Sequence, residues 1–204
     1  MAQLSKRSLL SILLLGIFFP ALAGRFSKTN EGIIVYPDNA YPGNAVAVEL
    51  KVIAENIFQV IAWPGKEKNV LKSFMVNYLV KETPSWKVSS TAASVSLYTS
   101  HLKATVNLQN GSIIYFDANG KQLTSEAPNS RRLQPSMFEG KKLFSTRQTF
   151  ITSDGDAWYG LGQHQDDIMN YKSYQVYLFQ NNTEVAVPFL LSKKNMVYYG
   201  IIIL

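Results

Sequence analysis

Short runs of alternating apolar and polar residues cover most of the chain, and residues that turn the backbone bound each run. Segments 45–53 (AVAVELKVI), 93–98 (ASVSLY), 102–108 (LKATVNL) and 143–152 (LFSTRQTFIT) place side chains on two faces at period two or nearly so. They are rich in Val, Ile, Thr and aromatic residues, which suit a half-buried pleated surface. Between them stand Pro42-Gly43-Asn44, Asn110-Gly111, Asn119-Gly120 and Asp154-Gly155. Asn-Gly and Asp-Gly supply the positive φ angles that tight hairpins need. The pattern predicts an all-β domain built as an antiparallel β-sandwich. One segment reads two ways: Val70, Leu71, Phe74, Met75, Tyr78 and Leu79 recur at helical spacing, yet Phe74-Met75-Val76 with Tyr78-Leu79-Val80 also suits a buried strand. No Gly/Ser-rich linker, low-complexity tract or internal repeat interrupts the chain, so a single domain is expected.

Composition changes this picture at the N-terminus. Lys6 and Arg7, an apolar run over 9–19 and Ala21-Leu22-Ala23 before Gly24 have the composition of a secretory signal. The apolar run is shorter than the ~20 residues that span a bilayer. Residues 1–23 are therefore expected to be removed, leaving an exported protein, periplasmic or secreted, with no membrane association after cleavage. The chain has no Cys, so its stability must come from buried apolar surface. Its net charge of +6 includes the basic pairs Arg131-Arg132, Lys141-Lys142 and Lys193-Lys194. Pairs this short read as solvated surface, and no dense basic stripe points to nucleic acid.

Candidate chemistry is sparse. Asp154, Asp156, Asp166, Asp167 and Glu184 are the carboxylates placed in polar turns and loops near the C-terminal end. Asp154 and Asp156 sit in an SDGD turn, where a carboxylate caps its own backbone, and Asp166 and Asp167 read as solvated loop residues. No catalytic pair is expected among them. His101 and His164 are the two histidines, and neither belongs to a spaced ligand set, so no metal is expected. Asp117-Ala118-Asn119-Gly120 lacks the register of a calcium loop and reads as a hairpin turn. Asn181-Asn182-Thr183 and Asn110-Gly111-Ser112 fit the N-glycosylation pattern and are given no role. Trp63, Trp86 and Trp158 could stack on sugars as in a free-standing carbohydrate-binding module, or fill the sandwich core.

From Trp158 the chain reads WYGLGQHQDDIMNYKSYQVYLFQNNTEVAVPFLLSKKN. This segment resembles glycoside hydrolase family 31, and within it the bacterial α-xylosidase branch. Tyr159 to Gly162 match its Y-G-L-G turn, Leu178 to Asn182 its Leu-aromatic strand end with polar residues, and Pro188 to Leu191 its P-F-L-L-like strand. Upstream, IFQVIAWP (57–64) is similar to the family's I-I-R-V strand with Gln59 where Arg is usual, and IIYFDANGKQLTSE (113–126) is similar to its hairpin. The resemblance favours a strand over 70–80. It implies a galactose-mutarotase-like β-sandwich over 24–195, acting as the N-terminal domain of an α-xylosidase or α-glucosidase with no cofactor. It also implies that both catalytic aspartates lie on a (β/α)₈ barrel that follows the domain, a fold of ~250 residues.

The family's N-terminal domain lends the sugar pocket a loop. The resemblance therefore implies that Gln180, Asn181 and Asn182 bind an α-linked xylosyl or glucosyl oligosaccharide. Many α-glucosidase relatives have L-W-N-T-D here, so Asn182 stands where their Asp bonds substrate hydroxyls. An amide both donates and accepts, but it carries no charge. The last residues, MVYYGIIIL, depart from the family pattern. If they are encoded ATG GTA TAT TAT GGG ATA ATT ATT CTN, one T restored after the Asn195 codon gives Y-G-I-L-W-D-N-Y-S, the family continuation. Residues 196–204 are accordingly expected to be an out-of-frame tail, with the catalytic barrel missing and this chain alone inactive. A structural domain without sugar affinity is the remaining alternative.

Overall fold

The computed structural model describes residues 25–38, 41–65 and 84–200. The expected signal over 1–23 and the ambiguous segment 70–80 lie outside the described residues. Every regular element among those described is a strand, and every pairing is antiparallel. Strands β1 (Phe26–Lys28), β2 (Gly32–Val35), β3 (Ala47–Ala54) and β4 (Ile57–Trp63) form a four-stranded sheet in sequence order. A six-stranded sheet contains β5 (Lys87–Ser90), β6 (Ser94–Tyr98), β7 (Leu102–Asn107), β8 (Ile113–Asp117), β9 (Gln122–Glu126) and β12 (Phe150–Ile151). Among the described residues β10 (Arg132–Phe138) and β11 (Lys141–Arg147) pair only with each other, and β13 (Trp158–Gln163), β14 (Val185–Ser192) and β15 (Val197–Tyr199) form a third sheet.

Period-two alternation builds the core. Val48, Leu50 and Val52 from β3, with Ile33 and Val35, pack against Val95 and Leu97 of β6, Ala104 and Val106 of β7, and Ile113 of β8. All lie in one buried cluster shared by the two larger sheets, so the domain is an all-β sandwich. The reverse face of the four-stranded sheet is buried too: Ile34, Ala47 and Trp63 cluster there, and Trp63 Nε1 donates to Glu49 Oε2 at 3.1 Å. Trp63 and Trp158 are both 7% exposed, and Trp86 packs against the core. Trp86 thus packs on the sandwich core, while Trp63 and Trp158 are buried elsewhere, on the reverse face of the four-stranded sheet and in the third sheet.

Three expectations change in detail. Segment 143–152 is two strands: β11 ends at Arg147, and β12 joins β9 in another sheet. The partner of β11 is β10, reached through Glu139-Gly140, whose φ angles of 47° and 76° are those of a type I′ hairpin. Asn110-Gly111 and Asn119-Gly120 do join paired neighbours, whereas Asp154-Gly155 links β12 and β13 of different sheets. Arg131, expected on the surface, is buried against Glu126, with Nη2 to Oε2 at 2.6 Å.

The third sheet docks through one tyrosine. Tyr198 packs its ring on Phe150 and Trp158, at centroid distances of 4.5 and 5.5 Å, and its hydroxyl bonds Thr124 of β9. Burial pushes the Tyr198 phenol up to about 12. Because the raised value belongs to the folded state, stability is intact below pH 10 and is lost as pH rises from 10 towards 12. Tyr198→Phe should flatten this alkaline loss in thermal melts at pH 9 to 12, while costing about 1 kcal/mol at neutral pH for the lost hydrogen bond. An unchanged alkaline slope would show that Tyr198 keeps its ordinary titration.

Candidate functional site

The segment expected to touch sugar is the connection between β13 and β14, residues 164–184. Its first half folds back on β13. Asn170 Oδ1 accepts from the backbone N–H of Trp158 at 3.0 Å and of Lys172 at 3.1 Å, and the Tyr171 N–H donates to Trp158 O at 2.8 Å. His164 donates from Nε2 to Leu161 O at 2.9 Å and sets its ring edge-on to Tyr171. The histidine thus acts as a loop tie, and no group of three metal-ligating side chains occurs among the described residues.

The second half is held at its far end. Gln180 Nε2 donates to Glu184 O at 3.0 Å, while Gln180 Oε1 accepts from Ala186 N at 3.3 Å. Asn181 Oδ1 accepts from Asn182 N at 2.8 Å, and the backbone closes a tight turn from Glu184 N to Asn181 O. Both polar atoms of Gln180 are therefore engaged with backbone, and Asn182 stands exposed at the turn. Among the described residues no hydrogen bond reaches the Asn182 carboxamide. Of the three expected sugar-binding residues, Gln180 shapes the loop and Asn182 is presented to solvent. The residues before them, expected as a strand end, are irregular and leave Tyr174, Tyr177 and Phe179 more than half exposed. Sequence reasoning missed the two tyrosines, although SYQVYLF already displays three closely spaced aromatics in a segment with no strand alternation to bury them.

Beside the loop, β14 and β15 turn an apolar face outward. The pairs Phe189–Tyr199 and Leu191–Val197 lie in register on that face, and all four side chains are exposed. Their neighbours Leu190, Tyr198 and Ser192 point the other way. Ser192 Oγ donates to Asp156 Oδ1 at 2.8 Å, fixing the end of β14 to the start of β13. Asp156 is buried in this tie, which accounts for one candidate carboxylate. Asp154, Asp166 and Asp167 are exposed on turns, as expected.

The strand and loop sequence has recognisable kin. Residues 47–204 match the glycosyl hydrolase 31 N-terminal galactose mutarotase-like domain. An α-xylosidase of Saccharolobus solfataricus is 30% identical over 165 residues, a match covering 76% of this chain and 22% of that protein. Among solved structures, a GH31 α-xylosidase from Xanthomonas citri superposes with a TM-score of 0.74 at 36% identity, over 81% of this chain and 18% of the other. A GH31 α-xylosidase from a soil metagenome, complexed with xylose, gives 0.67 at 25% identity over 83% and 26%. The chain spans 18–26% of these relatives' length. It belongs to glycoside hydrolase family 31, as the N-terminal galactose-mutarotase-like domain of that family.

Proposed function

We propose that this exported domain, residues 24–195, shapes the substrate pocket of a retaining α-xylosidase or α-glucosidase and does not itself cleave the sugar. The observation that carries the proposal is an exposed loop tip, Asn182, that leads directly into β14, whose Val185, Phe189 and Leu191 side chains are exposed. Contiguous exposed apolar surface marks an interaction site. In this reading the face docks on the catalytic barrel, and the loop then reaches over the barrel mouth. Asn182 would donate from Nδ2 and accept at Oδ1 on neighbouring hydroxyls of an α-linked xylosyl or glucosyl unit, with Tyr174, Tyr177 or Phe179 offering apolar contact to the ring. The relatives that are α-xylosidases, one of them complexed with xylose, favour xylose as the sugar. No cofactor enters this chemistry.

The test is hydrolysis of p-nitrophenyl α-D-xyloside. The purified 204-residue chain, free of host enzymes, is expected to release no nitrophenol, and turnover would overturn the proposal. In a protein carrying this domain ahead of a barrel, Asn182→Ala should lower kcat/KM about tenfold, the worth of one hydrogen bond of about 1.4 kcal/mol. An unchanged kcat/KM would remove Asn182 from the sugar contact.

A further inference from the structure

We infer that the domain carries a second site for a neutral sugar, on the outward face of the six-stranded sheet and built from none of the residues of the 164–184 loop. The register fixes what this face presents. Ser96, Thr105, Ile114, Ser125 and Ile151 lie side by side across β6, β7, β8, β9 and β12, while Val95, Leu97, Ala104, Val106 and Ile113 point into the core. Over this row runs a groove of about 340 Å³, floored by Thr105, Ile114 and Ser125 and banked by the Asn107 to Ser112 turn on one side and Pro128 and Ile151 on the other. That volume falls within the range of small-molecule sites.

The polar groups on the bank are fixed in place and incompletely paired. Asn107 Oδ1 accepts from the N–H groups of Gln109 at 2.8 Å and Asn110 at 3.2 Å. Asn110 Oδ1 accepts from Ser112 N at 2.9 Å. Each carboxamide is held by its oxygen, and among the described residues neither Nδ2 nor the Ser112 hydroxyl has a partner. Two oriented donors and a hydroxyl therefore stand beside the apolar surface of Ile114, Ile151 and Pro128. A ligand satisfying both has hydroxyls on its rim and C–H groups on its face, which is the chemistry of a pyranose.

Charge narrows the class. Among the described residues Glu126 is the one ionisable residue lining the groove, and its Oε2 already accepts from Arg131 and from Ile113 N. No other charged side chain among the described residues lines it, which fits an uncharged ligand. Donors held by their own turn also lose little freedom on binding, which favours a small ligand.

The test titrates the full chain with methyl α-D-xylopyranoside and methyl α-D-glucopyranoside while following amide shifts by NMR. Saturable shifts are expected at Gly111, Ser112, Ile114 and Ser125. Asn107→Asp keeps the oxygen that caps the turn and removes the donor, and it should weaken binding about tenfold with an unchanged melting temperature. Ile114→Trp fills the groove and should abolish binding, whereas Asn182→Ala should leave it unchanged. Failure to see saturable shifts with either glycoside, or shifts that survive Ile114→Trp and vanish with Asn182→Ala, would overturn the groove site. The second of these outcomes would leave the loop contact of the proposed function standing, so the two readings fail separately.

Discussion

Arg131→Met is expected to destabilise the domain by about 3–5 kcal/mol, the cost of leaving one member of a buried ion pair without its partner. Glu126 and Arg131 are each only 6% exposed and meet at 2.6 Å. Arg131 also donates to Gly111 O at 3.2 Å, and Glu126 accepts from Ile113 N at 3.1 Å. The pair thus ties the β7–β8 turn to the segment that follows β9. Removing the guanidinium strands the carboxylate and the Gly111 carbonyl together. The double variant Glu126→Gln, Arg131→Met should recover most of the loss, because the amide still accepts from Ile113 N and no charge remains to be desolvated.

Acid should help the single variant. Burial already pushes the Glu126 carboxyl above its ordinary 4.5, against the opposing pull of Arg131. A folded-state value above the unfolded one means that stability falls as pH rises from 4.5 through the raised value. Without Arg131 the raised value climbs further, so Arg131→Met loses more of its stability between pH 5 and 7.5 than the parent does. Urea melts at those two pH values measure this directly. A pH-independent difference between parent and variant would show that Glu126 stays ionised without its partner.

This buried pair also marks the boundary of what the sequence reveals. The strands β3, β6 and β7 are legible because a sandwich strand has one dry face, which imposes period two on residues such as Val95 and Leu97. The Asn119-Gly120 turn is legible because its local chemistry demands those residues: Asp117 Oδ1 accepts from the N–H groups of Asn119 and Lys121, both at 2.9 Å. Arg131 is not legible, since an arginine next to another arginine reads as surface unless its partner is known. The β10–β11 hairpin is hidden for a related reason. Glu139 takes positive φ with a side chain that has no preference for it, and the strands expose both faces, so no apolar alternation announces β10. In the candidate site, the resemblance located Gln180, Asn181 and Asn182 together. Only the bend of the chain separates Gln180, which grips Glu184 O and Ala186 N, from Asn182, which faces solvent.

Gly162→Ala should cost roughly 3 kcal/mol and loosen the 164–184 loop in the same step. Gly162 holds φ at 106°, and a methyl group there would lie 1.8 Å from Val185 O and 3.0 Å from Val187 N. Those atoms are strand backbone, so neither can swing aside. Close approach is needed because β13 and β14 fall out of register between Gly160, opposite Leu190, and Gly162, opposite Ala186. Pro188 sits within that irregularity, where its missing N–H removes no ladder bond. Separating Gly162 from Ala186 also disturbs the N–H that Gln180 Oε1 holds, and with it the turn that presents Asn182. Gly120→Ala is the control: its φ of 80° imposes a similar left-handed strain of about 1–2 kcal/mol, but no atom lies within 4 Å of the added methyl. Thermal melts of the two variants should therefore differ clearly, and amide shifts at Val185 to Val187 should move only in Gly162→Ala. Equal melting temperatures would mean that the strands yield at this point, and that the Y-G-L-G turn does not fix the loop through close backbone contact.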